Sequence, residues 1–158
     1  MTEPNEMLWE GVIENNFDKV RIALNFRADV NAKDSRGWAP LHRAISDNFI
    51  EIAKLLISSG ADLDVEDDDN WTPLYVAVRE ENSLELAELL ISSGANLEAK
   101  DEWDQTPLYW AVRNNSLEIA KVLISSGADV NAENLWGLTP LDIAESQEMK
   151  TLLQGVTI

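Results

Sequence analysis

The chain contains no cysteine, a single histidine, and only twelve lysines and arginines against twenty-nine aspartates and glutamates. Without cysteine there is no disulfide framework and no thiolate metal site, and a reducing cytoplasm is the expected location. His42 has no second imidazole and no thiol to work with, so the usual nucleophile–base pairs and zinc constellations cannot be assembled. The chain is therefore expected not to be an enzyme and to need no cofactor or metal. The deficit of bases leaves a formal charge of −17 and a pI near 4.2. A charge of that size repels phosphate backbones and anionic lipid, which argues against direct nucleic-acid or membrane binding and for a basic protein partner. Long apolar runs are also missing: the longest are pieces such as Leu55-Leu56-Ile57, too short to span a bilayer. The opening MTEPNEMLWE is acidic and lacks the basic start and apolar core of a secretory signal.

What is present is a repeat. The 158 residues, 45% apolar and 26% charged, suit one globular domain spanning 1–158. From Trp38 the sequence reads WAPLHRAISDNFIEIAKLLISSGADLDVEDDDN, from Trp71 WTPLYVAVREENSLELAELLISSGANLEAKDEWD, and from Gln105 QTPLYWAVRNNSLEIAKVLISSGADVNAENLWG. Pro40, Pro73, Pro107 and Pro140 fall 33, 34 and 33 residues apart, and Ala28, Ala61, Ala95 and Ala128 keep the same spacing.

The segments APLHRA, TPLYVA, TPLYWA and TPLDIA, each followed in the full units by a stretch such as LLISSGAD, resemble the ankyrin repeat, whose signature is T-P-L-H-x-A at about 33 residues. The resemblance covers nearly the whole chain. It implies an all-α solenoid of stacked helix–turn–helix units with short β-turn fingers, monomeric on its own. The units are expected at roughly 5–37, 38–70, 71–104, 105–137 and 138–154, three full ones between two caps. In the first cap Met7 stands where the others have proline and Arg27 where they have glycine; the last cap is expected to have a shortened second helix.

The local chemistry agrees. Thr72, Thr106 and Thr139 precede the prolines as N-caps, while Ala39 forfeits about 1 kcal/mol of capping. Ser83 and Ser116 are placed to cap the second helices, and Gly60, Gly94 and Gly127 to end them in a left-handed turn. The extra residue of the third unit is expected within Glu80-Glu81-Asn82, between its two helices. His42 occupies the family's structural histidine position. The carboxylate run Asp64–Asp69 fails the calcium-loop pattern, because the places for its glycine and bidentate glutamate hold Asp69 and Tyr75; it reads as a solvated finger.

Six tryptophans are the strongest pointer to function. Partners of the family usually contact the finger tips and the exposed face of the first helices. By resemblance, Trp38, Trp71, Trp103 and Trp136 belong to finger tips, and Trp110 shares the concave face with Arg113 one turn on. Trp9 is expected to be structural. Tryptophan and arginine often dominate interface energy. Residues 67–100 carry eight acids against Arg79 and Lys100, and residues 101–133 six acids against two bases, so the same units are also the most acidic. The expected binding surface is Trp38, Asp68, Asp69, Trp71, Arg79, Glu80, Glu102, Trp103, Trp110, Arg113 and Trp136, acting by acidic steering and aromatic anchoring. The function expected is a protein-interaction module for a basic partner. The alternative is an inhibitor, immunity- or antitoxin-like, that blocks a basic nucleic-acid-acting enzyme by charge mimicry.

Overall fold

The computed structural model describes residues 3–79 and 84–155, and its regular structure there is helical throughout. Ten helices follow in order: α1 Glu3–Ile13, α2 Phe17–Asn25, α3 Pro40–Ser46, α4 Ile50–Ser58, α5 Pro73–Arg79, α6 Leu84–Ser92, α7 Pro107–Arg113, α8 Leu117–Ser125, α9 Pro140–Ile143 and α10 Gln147–Gln154. Helices of seven to nine residues are too short to persist alone in water, so stacking must hold them. The odd-numbered helices pack one on the next as an inner layer, and the even-numbered ones as an outer layer. Leu8, Leu41, Leu74 and Leu108, at one repeat position, are wholly buried between the layers, as are Leu56, Leu90 and Leu123 from the outer helices. Each such leucine contributes roughly 1.5–3 kcal/mol of burial. None of the helices among the described residues is long and apolar enough to cross a membrane.

Caps and turns follow the repeat with informative departures. The Thr72 and Thr106 hydroxyls accept the N–H groups of Tyr75 and Tyr109, both at 3.3 Å. Ala39 offers no such cap, and the His42 Nδ1 instead accepts the Ala39 N–H at 3.1 Å. Ser116 stands at the N-cap of α8 but its side chain makes no capping bond, because its backbone is not in the extended conformation that aims an N-cap hydroxyl back into the helix. Ser83 and the Glu80-Glu81-Asn82 insertion lie outside the described residues. In the last unit it is the first helix, α9, that is cut to four residues, whereas α10 keeps eight. Ala144 turns extended there, and Ser146 starts the new helix by accepting the Met149 N–H.

The fingers are built by one recurring acceptor. Asp34, Asp67, Asp101 and Asn134, spaced by the repeat, each use Oδ1 to accept the N–H groups two and four residues on, at 2.8–3.0 Å. The same residues' own N–H groups bond back to the carbonyls of Trp38, Trp71, Gln105 and Leu138. That tight loop needs a left-handed residue near its end, and Gly37, Asn70, Asp104 and Gly137 supply it with φ of 59–75°. A second ladder ties unit to unit: Asn31, Asp64 and Glu98 accept the N–H groups of Asp62, Asn96 and Asp129 across the stack, at 2.7–2.9 Å. Lys33 clasps the Glu66 carbonyl at 2.7 Å.

At the ends of the full units' second helices, Gly60, Gly94 and Gly127 take φ of 89–100°, and Arg27 is forced to 63° at the equivalent place. A side chain there costs about 1–2 kcal/mol, partly offset by the looser unfolded chain that glycine brings. Arg27 is exposed. Arg27→Gly is therefore expected to raise stability by about 0.5–1 kcal/mol, read from the midpoint of urea unfolding; a lower midpoint would contradict this account of the cap.

Candidate protein-binding face

The finger acceptors also reach sideways to aromatic donors of neighbouring elements. Trp38 Nε1 donates to Asp67 Oδ2 of the following finger at 2.9 Å, and its ring lies at 6.0 Å from that of His42. Asp101, only 4% exposed, accepts Tyr75 Oη–H and Trp110 Nε1–H on its Oδ2 while Oδ1 holds two backbone N–H groups. Four donors are what allow a carboxylate to stay buried without a counter-ion. In the next finger Asn134 replaces the acid and the polarity reverses: its Nδ2 donates to Tyr109 Oη at 3.0 Å. Burial, with the bonded Asp101 adding to it, raises the Tyr75 phenol far above its ordinary range; burial also raises Tyr109. Neither phenol ionises in use.

Around Tyr75 the rings form a connected strip. Trp71 stacks on Tyr75 at 5.3 Å and 23°, and Trp110 meets Tyr75 edge-on at 5.6 Å. A guanidinium covers each indole: Arg36 lies 4.8 Å from the Trp38 ring, Arg79 4.1 Å from Trp71 and Arg113 4.7 Å from Trp110. Such cation–π contacts are each worth about 0.5–1 kcal/mol at exposed sites. The Trp71 ring is held by packing and not by a hydrogen bond, for its Nε1 is buried without a hydrogen-bond partner among the described residues. His42 lies beneath, fully buried. With Nδ1 accepting the Ala39 N–H, its Nε2–H donates to the Trp71 carbonyl at 2.8 Å. Both nitrogens are committed, which removes it from any role as a base.

A family model for ankyrin repeats matches in three copies, over residues 8–101, 59–134 and 82–156. The chain belongs to the ankyrin-repeat family. It is 51% identical over 49 residues to Ankyrin repeat domain-containing protein 49 of Drosophila melanogaster, covering 30% of this chain and 22% of that protein. It is 42% identical over 47 residues to Protein phosphatase 1 regulatory subunit 27 of human and of mouse, 30% of each chain. The matched stretch thus spans less than a third of these relatives. Family membership gives the coarse function, protein–protein interaction.

On this ankyrin scaffold the expected site residues divide into three groups. Trp38, Trp71 and Trp110, with Arg79 and Arg113, form the half-buried strip; Trp71 and Trp110 also pack on the core. Trp103 and Trp136, at 36% and 62% exposure, stand on the third and fourth fingers, which are joined by the Leu135 N–H to the Trp103 carbonyl. Asp68, Asp69 and Glu102 are exposed. Glu80 lies outside the described residues. Trp9 is structural, 7% exposed, with Nε1 donating to the Ala32 carbonyl. Among the described residues no three acidic or imidazole groups converge as metal ligands. Tyr75, Asp67, Asp101 and Arg36 were not singled out as site residues from the sequence. The recurrence of Asp or Asn at 34, 67, 101 and 134 was the signal that would have found the two acids.

Burial lowers the His42 pKa below its ordinary 6.5, against weaker opposing effects from the Trp71 carbonyl and Asp67. The unfolded chain therefore takes up the proton first, so this contribution to stability is complete above about pH 6.5 and declines as the pH falls through that value. The imidazole is expected to titrate below 6.5 by NMR, with the urea midpoint falling in step; titration at or above 6.5 would contradict the buried neutral tautomer.

Proposed function

We propose that the chain is a non-enzymatic, monomeric binding module that grips a basic partner protein along its tryptophan strip and finger tips. The observation that carries the reading is the preorganised strip itself: three indoles fixed by hydrogen bonds or stacking, each under an arginine, beside exposed Asp68, Asp69 and Glu102. Rings already held in place lose little rotamer freedom on binding. The acidic fingers steer a basic surface toward them, and the more exposed Trp103 and Trp136 add anchoring area. The arginines make the face mixed in sign rather than uniformly acidic. The relatives named as phosphatase regulatory subunits fit a regulator that works by contact, over a shared stretch of 47 residues. Charge mimicry of nucleic acid is the weaker reading, because many finger acids are engaged by backbone N–H groups instead of lying open for a nuclease site.

Affinity capture from the native lysate at low and high salt tests this, with the Trp103→Ala/Trp136→Ala variant alongside. These rings have no stacking partner among the described residues, so the variant should keep its unfolding midpoint. Capture of a basic protein should fall with salt and drop by at least about tenfold in the variant. Capture that is insensitive to both salt and the two substitutions would contradict the proposal.

A further inference from the structure

The two residues that follow each finger acceptor form the finger tips, and their character changes along the stack. They are Ser35-Arg36, Asp68-Asp69, Glu102-Trp103 and Leu135-Trp136, and all are exposed. The tips also pair off. The Asp68 N–H bonds to the Arg36 carbonyl at 3.3 Å and the Leu135 N–H to the Trp103 carbonyl at 3.1 Å, whereas no such bond joins Glu102 to Asp69 among the described residues. The first pair of tips is thus polar and charged, and the second is apolar apart from Glu102.

We propose that this row of tips docks one segment of the partner that carries an apolar cluster beside a basic one, with the apolar end on the third and fourth fingers and the basic end on the second. The inference rests on the reading above that the partner is basic and meets the fingers. It adds which finger takes which chemistry, and it brings Leu135 and Leu138 into the surface.

The apolar end follows from what the last two fingers leave in water. Trp103, Leu135, Trp136 and Leu138 are all exposed large apolar side chains, Leu135 at 60%. Leu138 stands where earlier units have Trp38, Trp71 and Gln105, which are half-buried or buried; the fourth finger is the last, and Leu138 lies open. A folded chain seldom gathers such side chains in one place without a partner to cover them. The backbone beneath them is fixed, because Asp101 Oδ1 holds the Trp103 N–H and Asn134 Oδ1 holds those of Trp136 and Leu138. The platform therefore exists before anything docks, and little order remains to be imposed.

The basic end follows from charge. Exposed Glu102 and Glu133 flank the apolar pair, and the exposed Asp68 and Asp69 carboxylates continue the acidic field onto the second finger without an ion pair among the described residues. Arg36 closes that field on the first finger, so a basic stretch that runs too far meets a like charge. Neighbouring inner helices pack roughly 10 Å apart, about three residues of extended chain, which sets the spacing between the two ends of the ligand. A second copy of this chain fits less well, because the acids beside each patch would face one another in two chains of charge −17.

The test is titration of the isotope-labelled full chain at low salt with acetyl-Leu-Phe-Gly-Gly-Gly-Arg-Lys-amide, followed by NMR. The peptide should move the indole N–H resonances of Trp103 and Trp136. Glutamates in place of its arginine and lysine should abolish binding, and alanines in place of its leucine and phenylalanine should weaken it at least about tenfold. Leu135→Ser, an exposed change that spares every tryptophan, should weaken it about fivefold at an unchanged unfolding midpoint. A spin label on the basic end should broaden the Asp68 and Asp69 amides more than those of Leu135 and Trp136. Equal binding of the charge-reversed peptide, indifference to Leu135→Ser or the opposite placement of the label would overturn the assignment. So would shifts centred on the exposed Phe17 and Phe26 of the first unit, or self-association of the chain that Leu135→Ser abolishes. Salt-sensitive capture of a basic protein through Trp103 and Trp136 would survive any of these results. Peptide docking as described without any captured partner would support the row of tips and remove the wider reading.

Discussion

A carboxylate at the base of a finger, accepting two N–H groups of its own loop and then reaching into a neighbour, is the interaction on which the rest of this molecule depends. It shapes the loop by giving orphan backbone donors a partner. It fixes the direction of the indoles, because Trp38 and Trp110 each point Nε1 at such an oxygen. It also joins consecutive units, beside the leucine core and the second ladder, in a stack where each repeat touches only its neighbours. Asp101 gathers all three roles, bonding its own finger, Tyr75 on α5 and Trp110 on α7.

This use of acids changes what the net charge means. Asp29, Asp34, Asp62, Asp64, Asp67, Glu98, Asp101, Asp129 and Asp142 all accept backbone N–H groups. Their charge still contributes to the long-range field around the protein. The oxygens that accept these bonds are committed to the backbone and not to short-range pairing. The acids left to meet a partner are those beside the frame, such as Asp68, Asp69 and Glu102. The tryptophans show the same division: Trp9 serves the cap, Trp38, Trp71 and Trp110 are fixed yet half open, and Trp103 and Trp136 project.

The fold was legible because its signals are local and repeated. Threonine and proline at the start of most inner helices, glycine after the full units' outer helices, and leucine at one phase are each readable from a single unit. Ser116 and α9 escaped for a related reason: a residue type at a cap position does not reveal the backbone angle that lets it cap, and the last unit breaks phase after Ile143. Residue types placed the tryptophans on their elements, for Trp38, Trp71, Trp103 and Trp136 lie on fingers and Trp110 on an inner helix. The pairings did not show, because Trp38 with Asp67 and Tyr75 with Asp101 join an inner helix or its approach to a distant finger, 29 and 26 residues apart. Composition likewise gave an acidic surface without showing that arginines cover the indoles.

The account's central claim is tested most directly by comparing the unfolding free energies of Asp101→Ala and Asp68→Ala with that of the parent chain. Removing Asp101 strands a phenol, an indole N–H and two backbone N–H groups in a buried place, so a loss of about 3 kcal/mol or more is predicted. Asp68 is exposed and accepts none of these donors, so its loss should change stability by less than about 0.5 kcal/mol. Equal and small effects of the two substitutions would contradict the view that the finger carboxylates hold the solenoid and its tryptophan strip together.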